Sequence, residues 1–439
     1  MSPTDPKPPG GHRALIVLDG LGDRPHPDTG GVSPVEAART PNLDRLVRIG
    51  RIGDVVLIAP GVAPESDAGV LALLGYDPEH DSPGRGVLEA EGVGISLGPG
   101  DIALRLNFAT VDGTGRVLDS RVGRSLSTEE AKELAKALTD ADLLRADGIR
   151  AEVRATVGHR GVLWFHPTDG RPLAPEISNA DPFYERVGGL GQARTPADAR
   201  VRPVVPLTPG EGAQRAAAAV NSFLEGAAGV LTAHPVNARR ALRGRKIASG
   251  LLVRNAGALP ATPLPSFEAR HGFGGAAVTE MPVERGIARL LGLTDLFVGP
   301  MGADRDAALR ERARVTRAAL EEHPFVYVHL KGPDEPGHDG NARTKQEIIE
   351  ALDRSFFGPF LEGLDLERHR VAVTADHSTP CILRGHSDDP VPLLVVGRHV
   401  APEGGPGAKF SEAAAARGSL GHRRGAEVLK LLEDLEAPV

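Results

Sequence analysis

The chain has 439 residues, enough for two or three domains and a large buried core. Its 58 acidic and 51 basic residues leave a net charge of -7, which excludes a broad positive field for nucleic acid or an acidic membrane. One cysteine, Cys381, rules out an internal disulfide, and the longest aliphatic runs (ALIVL, VVLI, PLLVV) are too short to cross a bilayer.

The opening MSPTDPKPPGGHR has no apolar signal core and reads as a short loose tail. A cytoplasmic protein with no nucleic-acid and no membrane partner is expected. RALIVLDG (13–20) and DVVLIAP (54–60) then read as buried strands, separated by the helical pattern of SPVEAARTPNLDRLVRIG. From about 96 to 264 the texture changes. Candidate strands DIALRLNFATV, EVRATV and GVLWFHP are more polar and are spread among helices such as STEEAKELAKALTDADLL. The Ala, Gly and Pro-rich pieces at 200–265 and 400–408 read as loops and linkers. Beyond them come a helix (305–323), a strand (FVYVHLKG, 325–332), a helix (344–364), and the strands RVAVTADH (370–377) and PVPLLVVG (390–397). Buried strands alternating with helices predict an α/β fold with a mainly parallel sheet flanked by helices. Residues 1–95 and 265–439 are expected to form this core, and 96–264 a smaller inserted α+β domain.

Parallel sheets gather ligands at the carboxyl ends of their strands. The chemistry-bearing residues just past each strand are Asp19, Ser66, the pair Asp334 and His338 in KGPDEPGHDG, the couple Asp376 and His377, and His386. Alone, Asp19 in DGLGD reads as a turn residue and Asp334 with His338 as a surface turn. The Asp376–His377 couple is costly to bury without a partner, and a hydrogen-bonded pair explains it as well as a ligand pair does. Taken together, three Asp, three His and one Ser favour a site for two divalent ions, Mn, Zn, Co or Mg, with open positions for substrate.

Ser66 stands where APESDAGVLALLG enters a helix, a place for a cap worth about 1 kcal/mol. The same helix start can receive a phosphoryl group while a metal activates the hydroxyl as a nucleophile, and both roles can coexist. EGVGISLG reads as a plain turn rather than a dinucleotide motif, Cys381 as a buried inert thiol, and His323 and His329 as capping and packing residues.

Asp19, Ser66, D-x-x-x-H, D-H and His386, in this order, resemble the alkaline phosphatase superfamily. SPVEAARTPNLDRLVRIGRIG, SDAGVLALLGYDP, LPSFEARHGFGGAAV, YVHLKGPDEPGHDGN and TADHSTPC resemble more closely the archaeal-type cofactor-independent phosphoglycerate mutases. The sulfatase pattern C-x-P-x-R is missing. The resemblance implies an alkaline-phosphatase-like core, with Asp334, His338 and His386 on one metal and Asp19, Ser66, Asp376 and His377 on the other. It also implies Ser66 as nucleophile and an inserted domain that binds substrate as a lid. Arg254 and Lys331, then Arg160, Asp181 and Arg240, are the candidate substrate contacts. The implied reaction interconverts 3- and 2-phosphoglycerate in glycolysis and gluconeogenesis through a phosphoserine, typically with manganese, and without 2,3-bisphosphoglycerate or a nucleotide. The alternative is a related phosphotransferase or phosphatase acting on another small phosphate ester. Where relatives often carry RGAG, this chain has RNAG, with Asn255 in place of the glycine.

Overall fold

FVYVHL is apolar on both faces except at its histidine, and the segment Phe325–Leu330 is buried along its whole length. A strand of this kind needs cover on both sides, which a parallel sheet between helices provides. A computed structural model describes residues 11–433 apart from 188, 189, 195 and 406. Contacts divide the chain into two compact units: one runs to Asp81 and resumes at Pro265, and the other is Ser82–Leu264.

In chain order, β1 is Arg13–Leu18, β2 Arg51–Val56, β3 Ile102–Val111, β4 Val117–Asp119 and β5 Ile149–Ala155. β6 is Arg160–Pro167, β7 Tyr184–Val187, β8 Leu190–Ala193, β9 Gly250–Gly257 and β10 Ala276–Thr279. β11 is Thr294–Phe297, β12 Phe325–Leu330, β13 Arg370–Thr374, β14 Val391–Gly397 and β15 Gly421–Arg424.

The first unit is built on an eight-stranded sheet in the order β11-β10-β12-β1-β13-β14-β2-β15. Only β14 runs against the others, pairing antiparallel with β13 and β2. β1 lies at the centre in parallel register, with Leu18 opposite Leu330 and Val17 opposite Thr374. The sheet is therefore α/β and mainly parallel. The expected strand at 54–60 begins earlier, at Arg51, and the expected helix 344–364 contains a π-helical turn at Asp353–Phe357. At that turn the Asp353 carboxylate accepts from the backbone N–H groups of Asn42 and Leu43.

The second unit is α+β. Its sheet is antiparallel: β3 pairs with β6 and β9, and β6 pairs with β5. Along β3, Ile102, Leu104, Leu106 and Phe108 join one apolar cluster while Ala103 joins another, as the two-residue period of a strand requires. The second cluster explains a difference from the expected boundary. Helix Arg85–Gly92, placed in the first unit by sequence, puts Val87 and Ala90 against Ala103 and Val162. Within 200–265 the structure also replaces an expected linker by a 23-residue helix, Glu211–Ala233, then helix Pro235–Leu242 and β9. Alanine is the best helix former, and Ala213, Ala216, Val220, Phe223, Ala227 and Leu231 face the core. That helix is long and apolar enough to cross a membrane by composition, but this stripe packs it as a core helix.

Candidate metal centre

Topology brings the proposed site residues together. In the order β12-β1-β13, three parallel neighbours end at one edge, and from them follow Asp334, Asp19 and the pair Asp376 and His377. Because β14 is antiparallel, the segment preceding it, with His386, lies at that same edge. β2 ends there too, and the following loop leads into helix Ser66–Leu73.

The first cluster is Asp334, His338 and His386. Asp334 Oδ1 lies 3.4 Å from Nε2 of each histidine, and the two Nε2 atoms are 3.2 Å apart. His386 Nδ1 faces the Pro64 carbonyl at 2.8 Å and His338 Nδ1 the Arg384 carbonyl at 3.3 Å. A carbonyl accepts, so each Nδ1 carries a hydrogen, and each ring turns its Nε2 toward the other and toward Asp334 Oδ1. With both rings neutral the two Nε2 lone pairs would repel, and a cation beside Asp334 would remove that repulsion. The donor set is thus the kind a divalent ion takes, with second-sphere carbonyls fixing the tautomers.

The second cluster surrounds Ser66. Ser66 Oγ is 3.3 Å from His377 Nε2, which lies 3.5 Å from both Asp19 Oδ1 and Asp376 Oδ2. His377 Nδ1 donates to Thr379 Oγ1 at 3.0 Å, and that hydroxyl donates to Asp334 Oδ1 at 2.8 Å. Its Nε2 therefore also faces inward, toward Ser66 and the two carboxylates. Asp19 Oδ1 is buried with no hydrogen-bond partner among the described residues, an arrangement costly unless a cation meets it. Burial raises the Asp19 pKa, but Lys331, His377 and His329 outweigh it and hold the carboxyl below its usual range. Burial acts the same way on Asp334, and His386, His377 and His338 reverse it. Ser66 is the first helical residue; the cap is Glu65, which makes no side-chain capping bond. The expected capping role for the Ser66 hydroxyl is thus replaced by a place against His377.

His329 is the residue sequence reasoning missed. Taken there as a packing histidine, it puts Nε2 3.1 Å from Asp376 Oδ2 and Nδ1 3.0 Å from Glu284 Oε1. Asp19, His329 and Asp376 present ligand atoms all within 4.8 Å of one another. The legible signal was polar alternation at the end of β12: His329 and Lys331 share one face, two residues apart. Glu284 was hidden because it also caps its own helix, accepting from the Met281 N–H at 2.9 Å.

The proposed substrate contacts fare unequally. Lys331 Nζ lies 2.9 Å from Glu284 Oε1 and 3.3 Å from Asp19 Oδ2, so its ammonium is committed to the site's own carboxylates. Arg240 is 1% exposed, and its guanidinium donates to the Lys246 and Ser125 carbonyls, Ser125 Oγ and Glu130. That is a packing role, and it removes Arg240 from the candidates. Arg254 and Asp181 form a buried ion pair at 2.7 Å, with the guanidinium 3.7 Å over the Tyr184 ring. Asn255 has φ 53°, a left-handed conformation open to Gly and Asn, so the exchange at this position preserves the backbone.

Arg160 belongs to a cationic group in the second unit. His159 is pushed down to about 3 by burial and by Arg160, Arg121, Arg105 and Arg124. Arg121 and Arg124 help line a cavity of about 490 Å³ with Asp119, Ser120 and Phe183. From Val122 to Arg124 the backbone takes φ of 52°, 63° and 53°, a strained run for a β-branched residue and an arginine. Cys381 is inert by environment: burial and Asp23 push its thiol up to about 12.

The fold and the two clusters define an α/β protein with a candidate dinuclear centre beside a serine. Residues 48–237 match the sequence profile of 2,3-bisphosphoglycerate-independent phosphoglycerate mutase. An Aeropyrum pernix protein of that name is 47% identical over 409 residues, 92% of this chain and 95% of its own. A solved Pyrococcus horikoshii protein superposes with a TM-score of 0.76 at 30% identity, covering 97% of both chains. The cofactor-independent phosphoglycerate mutase from Thermoplasma acidophilum gives a TM-score of 0.62 at 32% identity, covering 97% of this chain and 100% of that one. This chain belongs to the 2,3-bisphosphoglycerate-independent phosphoglycerate mutase family, and it is an enzyme of the isomerase, intramolecular phosphotransferase class.

Proposed function

We propose that the enzyme interconverts 3-phosphoglycerate and 2-phosphoglycerate through a phosphoserine at Ser66, with two divalent ions and no 2,3-bisphosphoglycerate. The observation that carries this reading is the position of Ser66 Oγ, 3.3 Å from His377 and at the first residue of a buried helix. Free N–H groups at such a helix start favour a phosphoryl group. When bound, the ions supply Lewis-acid polarisation of the phosphate and lower the pKa of the serine hydroxyl. Asp334, His338 and His386 would hold one, and Asp19, Ser66, Asp376 and His377 the other.

Ser66 Oγ loses its proton and attacks phosphorus in line; the P–O bond to C3 breaks, and the C3 oxygen takes up a proton. Glycerate then turns; its C2 hydroxyl gives up its proton and attacks the phosphoserine phosphorus, the P–O bond to Ser66 Oγ breaks, and Oγ takes up a proton as 2-phosphoglycerate forms. Water must be kept out meanwhile, since hydrolysis at this stage turns a mutase into a phosphatase. Arg121, Arg124 and Arg160 are the proposed contacts for the substrate's anionic groups, because arginine forks match carboxylate and phosphate. Arg254, held by Asp181 and stacked over Tyr184, is a further candidate for such a contact.

The test strips the enzyme with chelator, resupplies Mn, Co, Zn or Mg in turn, and couples 3-phosphoglycerate turnover to enolase without bisphosphoglycerate. Activity restored by at least one metal, with no inorganic phosphate released, is the expected result. Phosphate release without isomerisation would assign a phosphatase, and no turnover with any metal would defeat the reading.

A further inference from the structure

Three of the four imidazoles at this edge of the sheet follow one rule: Nδ1 donates to an oxygen outside the cluster and Nε2 points inward. His329 breaks it. Both of its nitrogens face carboxylate oxygens, Glu284 Oε1 at 3.0 Å and Asp376 Oδ2 at 3.1 Å, and only N–H groups satisfy two such acceptors. Lys331, two residues on, repeats the pattern between Glu284 Oε1 at 2.9 Å and Asp19 Oδ2 at 3.3 Å. One buried carboxylate thus stands behind two cationic groups: His329 bonds Asp376, with Asp19 Oδ1 farther off at 3.9 Å, and Lys331 meets Asp19. The side chains of His329, Glu284 and Asp376 are at most 1% exposed, so solvent does not compete for these bonds. The Lys331 backbone is itself held by Glu280, whose other oxygen is paired with Arg312 at 2.7 Å.

We propose that Glu284, acting through His329 and Lys331, is the positioning element of the Asp19 and Asp376 carboxylates, and that His329 is a prop for the second ion's ligands rather than a ligand. The inference rests on the two-ion reading above. Outer partners of ligating groups orient them, and their loss typically weakens metal binding by about 10- to 100-fold. The Asp334, His338 and His386 cluster has its own supports in Thr379, Pro64 and Arg384 and makes no bond to Glu284 or His329 among the hydrogen bonds described. The effect should therefore fall on one ion of the two.

Stepwise Mn binding, followed by calorimetry and metal analysis, and the visible spectrum of the Co-loaded protein are compared for wild type, Glu284→Gln, His329→Leu and His329→Gln. Wild type is expected to take two ions. Glu284→Gln and His329→Leu should weaken one step by about 10- to 100-fold and alter one Co band, leaving the other step unchanged. His329→Gln, whose amide keeps an N–H for Asp376, should recover most of the loss; Glu284→Gln carries the test if His329→Leu does not fold. Unchanged binding in all variants, or equal weakening of both ions, would overturn the proposal. So would a His329→Gln protein as impaired as His329→Leu, which would make the imidazole a ligand. A wild type that takes fewer than two ions would bring down the two-ion reading and this inference with it.

Discussion

Gly69 lies directly against the backbone of Asp376: a Cβ built on the glycine would stand 2.0 Å from the Asp376 carbonyl oxygen. The helix that starts at Ser66 and the loop that carries Asp376 and His377 approach closely because no side chain separates them. Gly69→Ala is expected to push the helix away and lower kcat by about 100-fold, the usual cost of a displacement near 1 Å at a reacting centre. Steady-state kinetics beside a thermal melt check this. A fully active Gly69→Ala enzyme would show that the contact does not set the site.

Ser66→Ala should lower kcat by at least about 10⁴-fold, as removal of a covalent nucleophile does. Acid-quenched wild type, incubated with 3-phosphoglycerate, should carry phosphate on the peptide containing Ser66. An active alanine variant would sink the nucleophile assignment.

At Asn255 the left-handed φ of 53° makes a directional forecast. Asn255→Gly should leave folding and kcat/KM unchanged, and Asn255→Val should cost about 1–2 kcal/mol of stability because a branched side chain resists this conformation. Denaturant melts decide; equal stability of the two variants would refute the backbone explanation.

His159, held near 3 by burial and four arginines, reports on the cationic group beside it. Its pKa, followed by NMR, should rise when inorganic phosphate is added, because a bound anion offsets the positive charges that oppose protonation. With the folded pKa depressed from 6.5, the unfolded chain binds the extra proton between about 3 and 6.5, so this residue makes stability grow with pH across that window. A His159 resonance indifferent to phosphate would argue against anion binding there.

Glu412 has the opposite sign. Burial lifts its carboxyl from 4.5 to about 7, while bonds from Ser33 Oγ and the Asp23 N–H oppose the rise. Between those values the folded state holds a proton that the unfolded chain has released, so stability falls as pH climbs through the window. Glu412→Gln should remove that slope, raising Tm relative to wild type more at pH 8 than at pH 5. A pH-independent difference would place the cause elsewhere.

The α/β class and the seven candidate ligands were legible because both depend on short-range pattern. Apolar runs announce buried strands, and acids and histidines just beyond them announce the edge where ligands gather. Helix Glu211–Ala233 was not legible: its Ala and Gly content reads equally as linker until the apolar stripe has a sheet to cover. The packing of the Arg85–Gly92 helix was not legible for the same reason, since half of its partner face, Val162, comes from about 70 residues further along the chain.

By itself the sequence determined the candidate residues, their chemical types, the strand ends that bear them and the family to which the chain belongs. Only the tertiary structure decided how each is used. It set Arg240 inside the core, tied Lys331 to Asp19 and Glu284, and turned His329 from packing residue to bridge. A side chain's role depends on what meets it across the sheet edge, and β1, whose end bears Asp19, lies about 300 residues before β12 and β13, whose ends bear Lys331 and Asp376, yet sits between them in space.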